Sequence, residues 1–351
     1  MIFAAKHGWI GVDIGTCSLK LAQMERRGRQ TILRSAAIIE RASLVDTSPW
    51  IRSAPARVAS ELERGLDKAR FHGRDTACTP PIAICDIRNL SIPFESEKES
   101  RAAVASELSQ IHSVNEENLH FDIWRSGVSR DVDEVSVLCM ADRWTDSIVA
   151  DHSEHGLTCR AIDGLPQALV RAAAMHPDYQ RQQPLVLLDW GATTTTFCVA
   201  LNDQPIFVRC LPKLGFLGYE EKIIQALGMS RRETRRIMSR YGVPENTNDS
   251  TDEVTQTIAE IVGGDLQTFV EELTRTISYF KTQHTNLPLE HGLLFGAGAM
   301  LNNVNHWLGS KLKVDLQTWK LQFEGPVEKS HWPIELLGPA IAASSLAWEA
   351  A

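Results

Sequence analysis

The stretch WIGVDIGTCSLKLAQM, residues 9–24, decides how the rest of the chain is read. An apolar strand ends in Asp13, Gly15 lets the backbone turn tightly, Thr16, Cys17 and Ser18 keep the turn small, and a second strand leaves through Leu19 and Leu21. A turn of this kind brings bare backbone close to a ligand. Half a chain later PLVLLDWGATTTTFCVAL, residues 184–201, repeats the order: apolar strand, Asp189, one residue, Gly191, small hydroxyl residues including Thr193 and Thr194, then strand. Two such hairpins predict a duplicated fold with a shared cleft.

Composition narrows the function classes. A chain of 351 residues with 43% hydrophobic content buries a large core and is long enough for two lobes. A formal net charge of −8 offers no general attraction for nucleic acid, which calls for a basic face or groove. No apolar run reaches the roughly 18 residues that span a bilayer, and the start MIFAAKHGWIG lacks a signal peptide's apolar core, so a cytosolic protein is expected. The seven cysteines are scattered and form no CxxC pair, which fits reduced, mostly buried thiols rather than disulfides or zinc.

Along the chain, residues 9–25 and 31–40 read as paired strands, 55–70 as a helix with Val58, Leu62 and Leu66 on one face, and 80–90 as a buried strand. Residues 86–162 read as a small inserted subdomain in the order strand, helix, two strands, helix, strand. Residues 163–183 return the chain by a helix with Pro166 early. The first lobe is then 1–85 with 163–183, and the second is 184–351. In the second lobe the second hairpin is followed by three helical stretches, a polar loop over 244–252, a strand with a glycine turn (HGLLFGAGAMLNNV, 291–304) and an apolar closing helix over 334–348.

The backbone amides of a glycine turn converge into a nest that binds phosphate oxygens, and two facing nests hold a polyphosphate. Asp13 and Asp189 would then approach one magnesium ion, through waters because the ion dehydrates reluctantly, while Lys20 places a point charge near the terminal phosphates. The third turn, at Gly296 and Gly298, would let a base or ribose lie against bare backbone. One such turn alone is usually a plain hairpin; three in this order carry the reading.

The segments DIGTCSLK (13–20), DWGATTTTF (189–197) and LLFGAGAML (293–301) resemble the two phosphate motifs and the adenosine motif of the actin-like ATPase superfamily. Within it the chain is most similar to the PilM family. RCLP (209–212), ELTRTISYFKTQ (272–283), LGPAIAAS (337–344), and IPF (92–94) and CRAIDGLPQALVRA (159–172) in and after the insertion extend the likeness over nearly the whole chain. The resemblance implies an α/β, two-lobe actin-like fold, duplicated and ribonuclease H-like, with an FtsA-like α+β subdomain inserted in the first lobe. It implies ATP with Mg2+ between the lobes, touched by Asp13, Gly15, Thr16, Ser18 and Lys20 from the first motif. Asp189, Gly191, Thr193 and Thr194 come from the second, and Gly296, Gly298 and Ala299 from the adenosine turn. It also implies a cytoplasmic adaptor of a type IV pilus or type II secretion platform. Such an adaptor holds the N-terminal cytoplasmic tail of a PilN-like inner-membrane protein and meets the membrane only through partners.

Departures from the family pattern cluster in the second lobe. Where the family has a glycine pair near the terminal phosphate, KLGFLGY (213–219) retains only Gly215, and where it has an acid and a lysine facing the nucleotide, this chain has Arg235 and Met238 after Thr234. Weak ATP binding, or none, is the expectation, with at most a weak ATPase activity. Other features read plainly: Arg232, Arg236 and Arg240 as a solvated helix face, His152 and His155 as surface histidines, and Trp124, Trp144, Trp307, Trp319 and Trp332 as packing. Asp163 reads as a helix N-cap in preference to a general base. Two rivals remain: a small-molecule kinase of the same superfamily, and an FtsA-like filament former.

Overall fold

A computed structural model of the chain describes residues 6–28, 30–41, 55, 57–92, 96–125, 134–243, 253–321 and 332–349. In chain order the elements begin with β1 (Lys6–His7), β2 (Ile10–Ile14), β3 (Ser18–Arg27), β4 (Gln30–Glu40), α1 (Ala59–Lys68) and β5 (Asp75–Thr79). Next come β6 (Asp86–Ser91), α2 (Glu97–His112), β7 (Leu119–Arg125), β8 (Glu134–Ala141), α3 (Asp142–Glu154), β9 (Thr158–Ile162) and α4 (Leu165–Ala173). The second half holds β10 (Leu185–Trp190), β11 (Thr194–Leu201), β12 (Gln204–Pro212), α5 (Phe216–Leu227), α6 (Arg231–Tyr241) and α7 (Glu253–Gln283). It closes with β13 (His291–Phe295), α8 (Val304–Leu312), β14 (Asp315–Thr318) and α9 (Gly338–Ser345).

The described strands form three sheets. In the first, β3 lies antiparallel between β4 and β2, β1 pairs with its far end, and β5 and β9 continue parallel beyond β2. The second repeats that plan: β12, β11 and β10 run antiparallel, and β13 and β14 continue parallel beyond β10. The duplication visible in the two hairpins is therefore a duplication of whole sheets. The third sheet is small, with β8 antiparallel between β6 and β7. It carries its own core of Val104 and Leu108 from α2 against Val135 and Val137.

Helices α4 and α9 lie between the two large sheets and join them. One apolar cluster contains Ala22, Met24 and Ala36 of the first sheet, Leu187, Cys198 and Phe295 of the second, and Leu169, Ala340 and Ile341 of the helices. The small residues GPAIAASS let α9 lie close to β2 and β3. Ser344 Oγ donates to the Trp9 carbonyl at 2.6 Å and accepts from the Met24 amide at 2.9 Å. Of the closing helix expected over 334–348, α9 is fully buried core, as the lack of lysine and arginine predicts, and 334–336 and 346–348 form partly buried 3-10 turns at its ends. The outer face of the second sheet carries α5, α6, α7 and α8 around Trp190, Phe197, Phe269 and Phe280.

Three local expectations shift. Of the buried strand expected over 80–90, the second half is β6, which is only partly buried; the buried strand is β5, just before it, and Pro80 and Pro81 end its ladder because proline has no N–H to donate. Its polar letters hide it: Thr76 and Thr79 are fully buried. β9, read as the end of the insertion, hydrogen-bonds parallel to β5 in the first sheet, and α3 packs on α1 and β9. His152 is buried, with Nδ1 2.7 Å from the Ile148 carbonyl, so its spacing to His155 reflects the core and not a surface pair. The polar loop over 244–252 lies outside the described residues. Trp144, Trp307 and Trp319 are core residues, and Trp124 Nε1 donates to the Pro205 carbonyl at 2.6 Å, tying the small sheet to the second lobe.

Candidate functional site

Strand pairing places the first charges. Asp13 sits opposite Lys20 in the β2–β3 ladder, so both side chains share a face, and Lys20 Nζ donates to Asp13 Oδ2 at 2.9 Å. The turn is closed by the Gly15 amide donating to the Ser18 carbonyl at 2.9 Å. β10 and β11 repeat the arrangement, with Asp189 opposite Thr196. The two turns meet: the hydroxyls of Thr16 and Thr193 are 3.1 Å apart although 177 residues separate them.

Between the lobes lies a cleft of about 250 Å³. Its wall includes Asp13, Gly15, Thr16, Ser18 and Lys20 from the first turn, Asp189, Gly191, Thr193 and Thr194 from the second, and Gly296 from the third. Ten of the thirteen residues singled out in the sequence are thus brought together. Gly215, Gly298 and Ala299 stand behind the wall. A Cβ at Gly215 would fall 2.2 Å from the Ala192 carbonyl oxygen, and the Phe216 and Leu217 amides donate to Gly191 and Ala192 at 2.9 and 2.8 Å. The first amides of α5 therefore fasten the helix to the second turn. A Cβ at Gly298 would lie 2.2 Å from the Trp190 indole, and Ala299 is buried in the second-lobe core. Gly296 differs, since its φ of +82° is a conformation that suits glycine.

This packing carries an expected result. Gly298→Ala forces the Trp190 ring to shift and should lower stability by about 2 kcal/mol whether or not nucleotide is present. Urea unfolding of the variant checks it. A normal midpoint combined with weakened nucleotide binding would instead assign Gly298 to the ligand.

The cleft is acidic. Five carboxylates, Asp13, Glu40, Asp189, Glu220 and Glu335, line it against two cations, Lys20 and Arg235. Burial, and then the neighbouring Asp13 charge, push the Asp189 carboxyl up to about 7, with Lys20 pulling the other way. Burial lowers the Lys20 ammonium, but the charge and hydrogen bond of Asp13, joined by Asp189, outweigh it and hold Lys20 above its usual value. Burial also raises the Glu335 carboxyl. A cation shared by Asp13 and Asp189 would relieve the crowding of negative charge, and hard carboxylate oxygens are the donors magnesium takes. The residues fit a nucleotide accompanied by its metal ion better than a bare triphosphate.

The second-lobe departures have visible structural roles. Arg235 is held by two acids, its Nε on the Glu220 carboxylate and its Nη1 2.5 Å from Glu40 Oε1, so it links α6 and α5 to the end of β4 across the mouth of the cleft. Glu220 is almost fully buried and is also met by Arg231 at 3.2 Å. Thr234 is buried, its hydroxyl donating to the Ser230 carbonyl at 3.1 Å, and Met238 joins the cleft wall. Sequence reasoning missed Glu40, Glu220 and Glu335 as cleft residues; an acid on a helix or strand end carries no local sign of which lobe it will face. Asp163 does not cap α4, whose N-cap is Gly164; it pairs with Arg171 at 2.6 Å. It is not among the residues that line the cleft.

Comparison with known proteins places the molecule. A solved structure of a PilM–PilN type IV pilus biogenesis complex matches with a TM-score of 0.74 at 21% identity, covering 97% of this chain and 98% of that one. The ethanolamine utilization protein EutJ of Carboxydothermus hydrogenoformans matches at 0.49 with 14% identity over 97% and 89% of the two chains. MreB 5 of Spiroplasma citri bound to AMPPNP matches at 0.49 with 8% identity over 97% and 96%. These last two are remote likenesses. No curated protein matches in sequence. No described helix is long and apolar enough to cross a membrane. The family model for type IV pilus assembly protein PilM matches residues 11–327. With its duplicated sheets meeting at two facing turns, the chain has the actin-like fold and belongs to the PilM family of type IV pilus assembly proteins.

Proposed function

We propose that the chain is a cytoplasmic adaptor of a type IV pilus inner-membrane platform, holding ATP with Mg2+ between its lobes and the N-terminal tail of a PilN-like membrane protein beside its inserted sheet. The observation that carries the nucleotide reading is the meeting of the two turns, which gathers Asp13, Lys20 and Asp189 into one cleft. The likeness to the solved PilM–PilN complex motivates the partner. Nearby division of labour follows from the pairings. The first lobe would be 1–85 with the segment after β8, the insertion 86–141, and the second lobe 184–351, because β9 pairs into the first sheet and α3 packs on α1 and β9.

In the cleft, Asp13 and Asp189 would hold the metal ion, the turn amides the phosphates, and Lys20 a phosphate oxygen. Magnesium supplies charge neutralisation when bound. The protein's own residues then do the mechanical work. Lys20, already fixed by Asp13, positions negative charge at the first turn; Thr16 and Thr193 keep the turns in register; and Arg235 ties the cleft mouth together through Glu40 and Glu220. A ligand touching both turns favours one angle between lobes. A tail groove whose shape depends on that angle then has two affinities. The work is binding in preference to turnover, and the loss of Asp163 from the cleft weighs against the kinase alternative.

A fluorescently labelled peptide of the partner's N-terminal tail, titrated with this protein by anisotropy, tests the reading. Binding that changes with ATP and Mg2+ is expected. Equal affinity with and without them ends the nucleotide-gated mechanism, and absence of binding ends the adaptor. Sedimentation with ATP distinguishes a filament former.

A further inference from the structure

Away from the cleft, the inserted sheet brings together three side chains of different chemistry. Asp86 on β6 and Cys139 on β8 are direct partners in the antiparallel ladder, so their side chains leave the sheet on one face. His112, the last residue of α2, comes down on that face. Its Nε2 lies 3.1 Å from Asp86 Oδ2 and 3.8 Å from Cys139 Sγ, and the three ligand atoms lie within 4.8 Å of one another.

We propose that Asp86, His112 and Cys139 form a binding site for a borderline transition-metal ion of the zinc class. One nitrogen, one thiolate sulfur and one carboxylate oxygen suit zinc or cobalt and not magnesium or calcium, which take oxygen. The separations agree with a shared ion. Zinc bond lengths of about 2.0–2.3 Å at near-tetrahedral angles place such donors roughly 3.3–3.8 Å apart, so the nitrogen–oxygen and nitrogen–sulfur distances need only small adjustments. Cys139 is fully buried, while the Asp86 and His112 side chains are 21% and 10% exposed. The sulfur thus anchors the ion from the core, and the other side opens to solvent for entry and for a water ligand.

Arg88 Nε also meets Asp86 Oδ2, as expected of an outer partner that orients a ligating carboxylate. On binding, the Cys139 thiol loses its proton to solvent and the thiolate takes the ion. A histidine–aspartate ion pair at a helix C-terminus accounts for two of these residues, but not for a thiol facing the same nitrogen. Such an ion would pin the end of α2 to β6 and β8 and stiffen the inserted sheet. This site depends on nothing in the nucleotide cleft.

The test uses the full chain, stripped with a chelator, kept reduced and titrated with Co2+. One equivalent should give a near-ultraviolet sulfur-to-cobalt charge-transfer band, be displaced by Zn2+, and raise the melting temperature. Cys139→Ser should lose the band, and His112→Gln, whose side chain lies nearer the surface, should weaken binding by at least the roughly 10- to 100-fold that loss of an outer partner costs, with native circular dichroism. A wild-type protein with no band overturns the proposal, as does a band that survives in both folded variants and so belongs to another cysteine.

Discussion

Asp13→Ala should weaken binding of a fluorescent ATP analogue in the presence of Mg2+ by roughly 10- to 100-fold while the fold survives. Asp13 is 8% exposed, faces Lys20 across the ladder and shares the cleft wall with Asp189. Removing it takes away one metal-facing carboxylate and the fixed partner of the ammonium. Stability should change little, because Asp189 also acts on Lys20 and remains to neutralise it, and because the like charge that raises Asp189 disappears at the same time. Loss of binding then reports on the site itself. Binding by the variant equal to wild type would mean that nucleotide, if held, is held elsewhere. No binding by wild type at millimolar ligand would leave a scaffold that works only by holding its partner.

Asp189→Asn should raise stability above pH 7 by up to about 4 kcal/mol, and the same change should remove the stabilisation that Mg2+ and nucleotide give the wild type. The sign follows from the direction of the shift. Below the ordinary value of 3.8 the carboxyl is protonated in folded and unfolded chains alike, and variant and wild type should match. Between that value and about 7 the unfolded chain releases its proton while the folded chain keeps it, so wild-type stability falls as pH rises. Above about 7 the folded chain carries the buried charge and the full penalty. Asparagine carries none. Thermal melts of both proteins at pH 4 and pH 8, with and without Mg2+ and ATP, check both halves. A variant less stable than wild type at pH 8 without ligand would show that Asp189 is stabilised as a carboxylate by the protein alone.

These two carboxylates illustrate a division of labour between stability and function. The strand register places Asp189 opposite the neutral Thr196, and burial, and then the charge of Asp13 across the cleft, raise its carboxyl. A charge held where it is unfavourable is a common mark of a site that expects a cation. Arg235 works in the opposite direction. Its contacts with Glu220 and Glu40 satisfy a buried acid and span the lobes, so this arginine is part of how the cleft is closed.

The sequence by itself determined the local chemistry: two strand–Asp–x–Gly turns, the apolar closing helix, the order of strands and helices, and, through the family likeness, the actin-like class. Those features depend on neighbours within a few residues, where backbone preference and side-chain periodicity act. Tertiary structure alone decided that Thr16 meets Thr193, that β9 pairs with β5, and that Gly298 serves Trp190 while Gly296 lines the cleft. It also decided that Glu40, Glu220 and Glu335 face the cleft, and that Asp86, His112 and Cys139 converge. Parallel pairing, lobe contact and burial of an acid join residues tens to hundreds of positions apart, and no local preference of the chain encodes which distant surface each will meet.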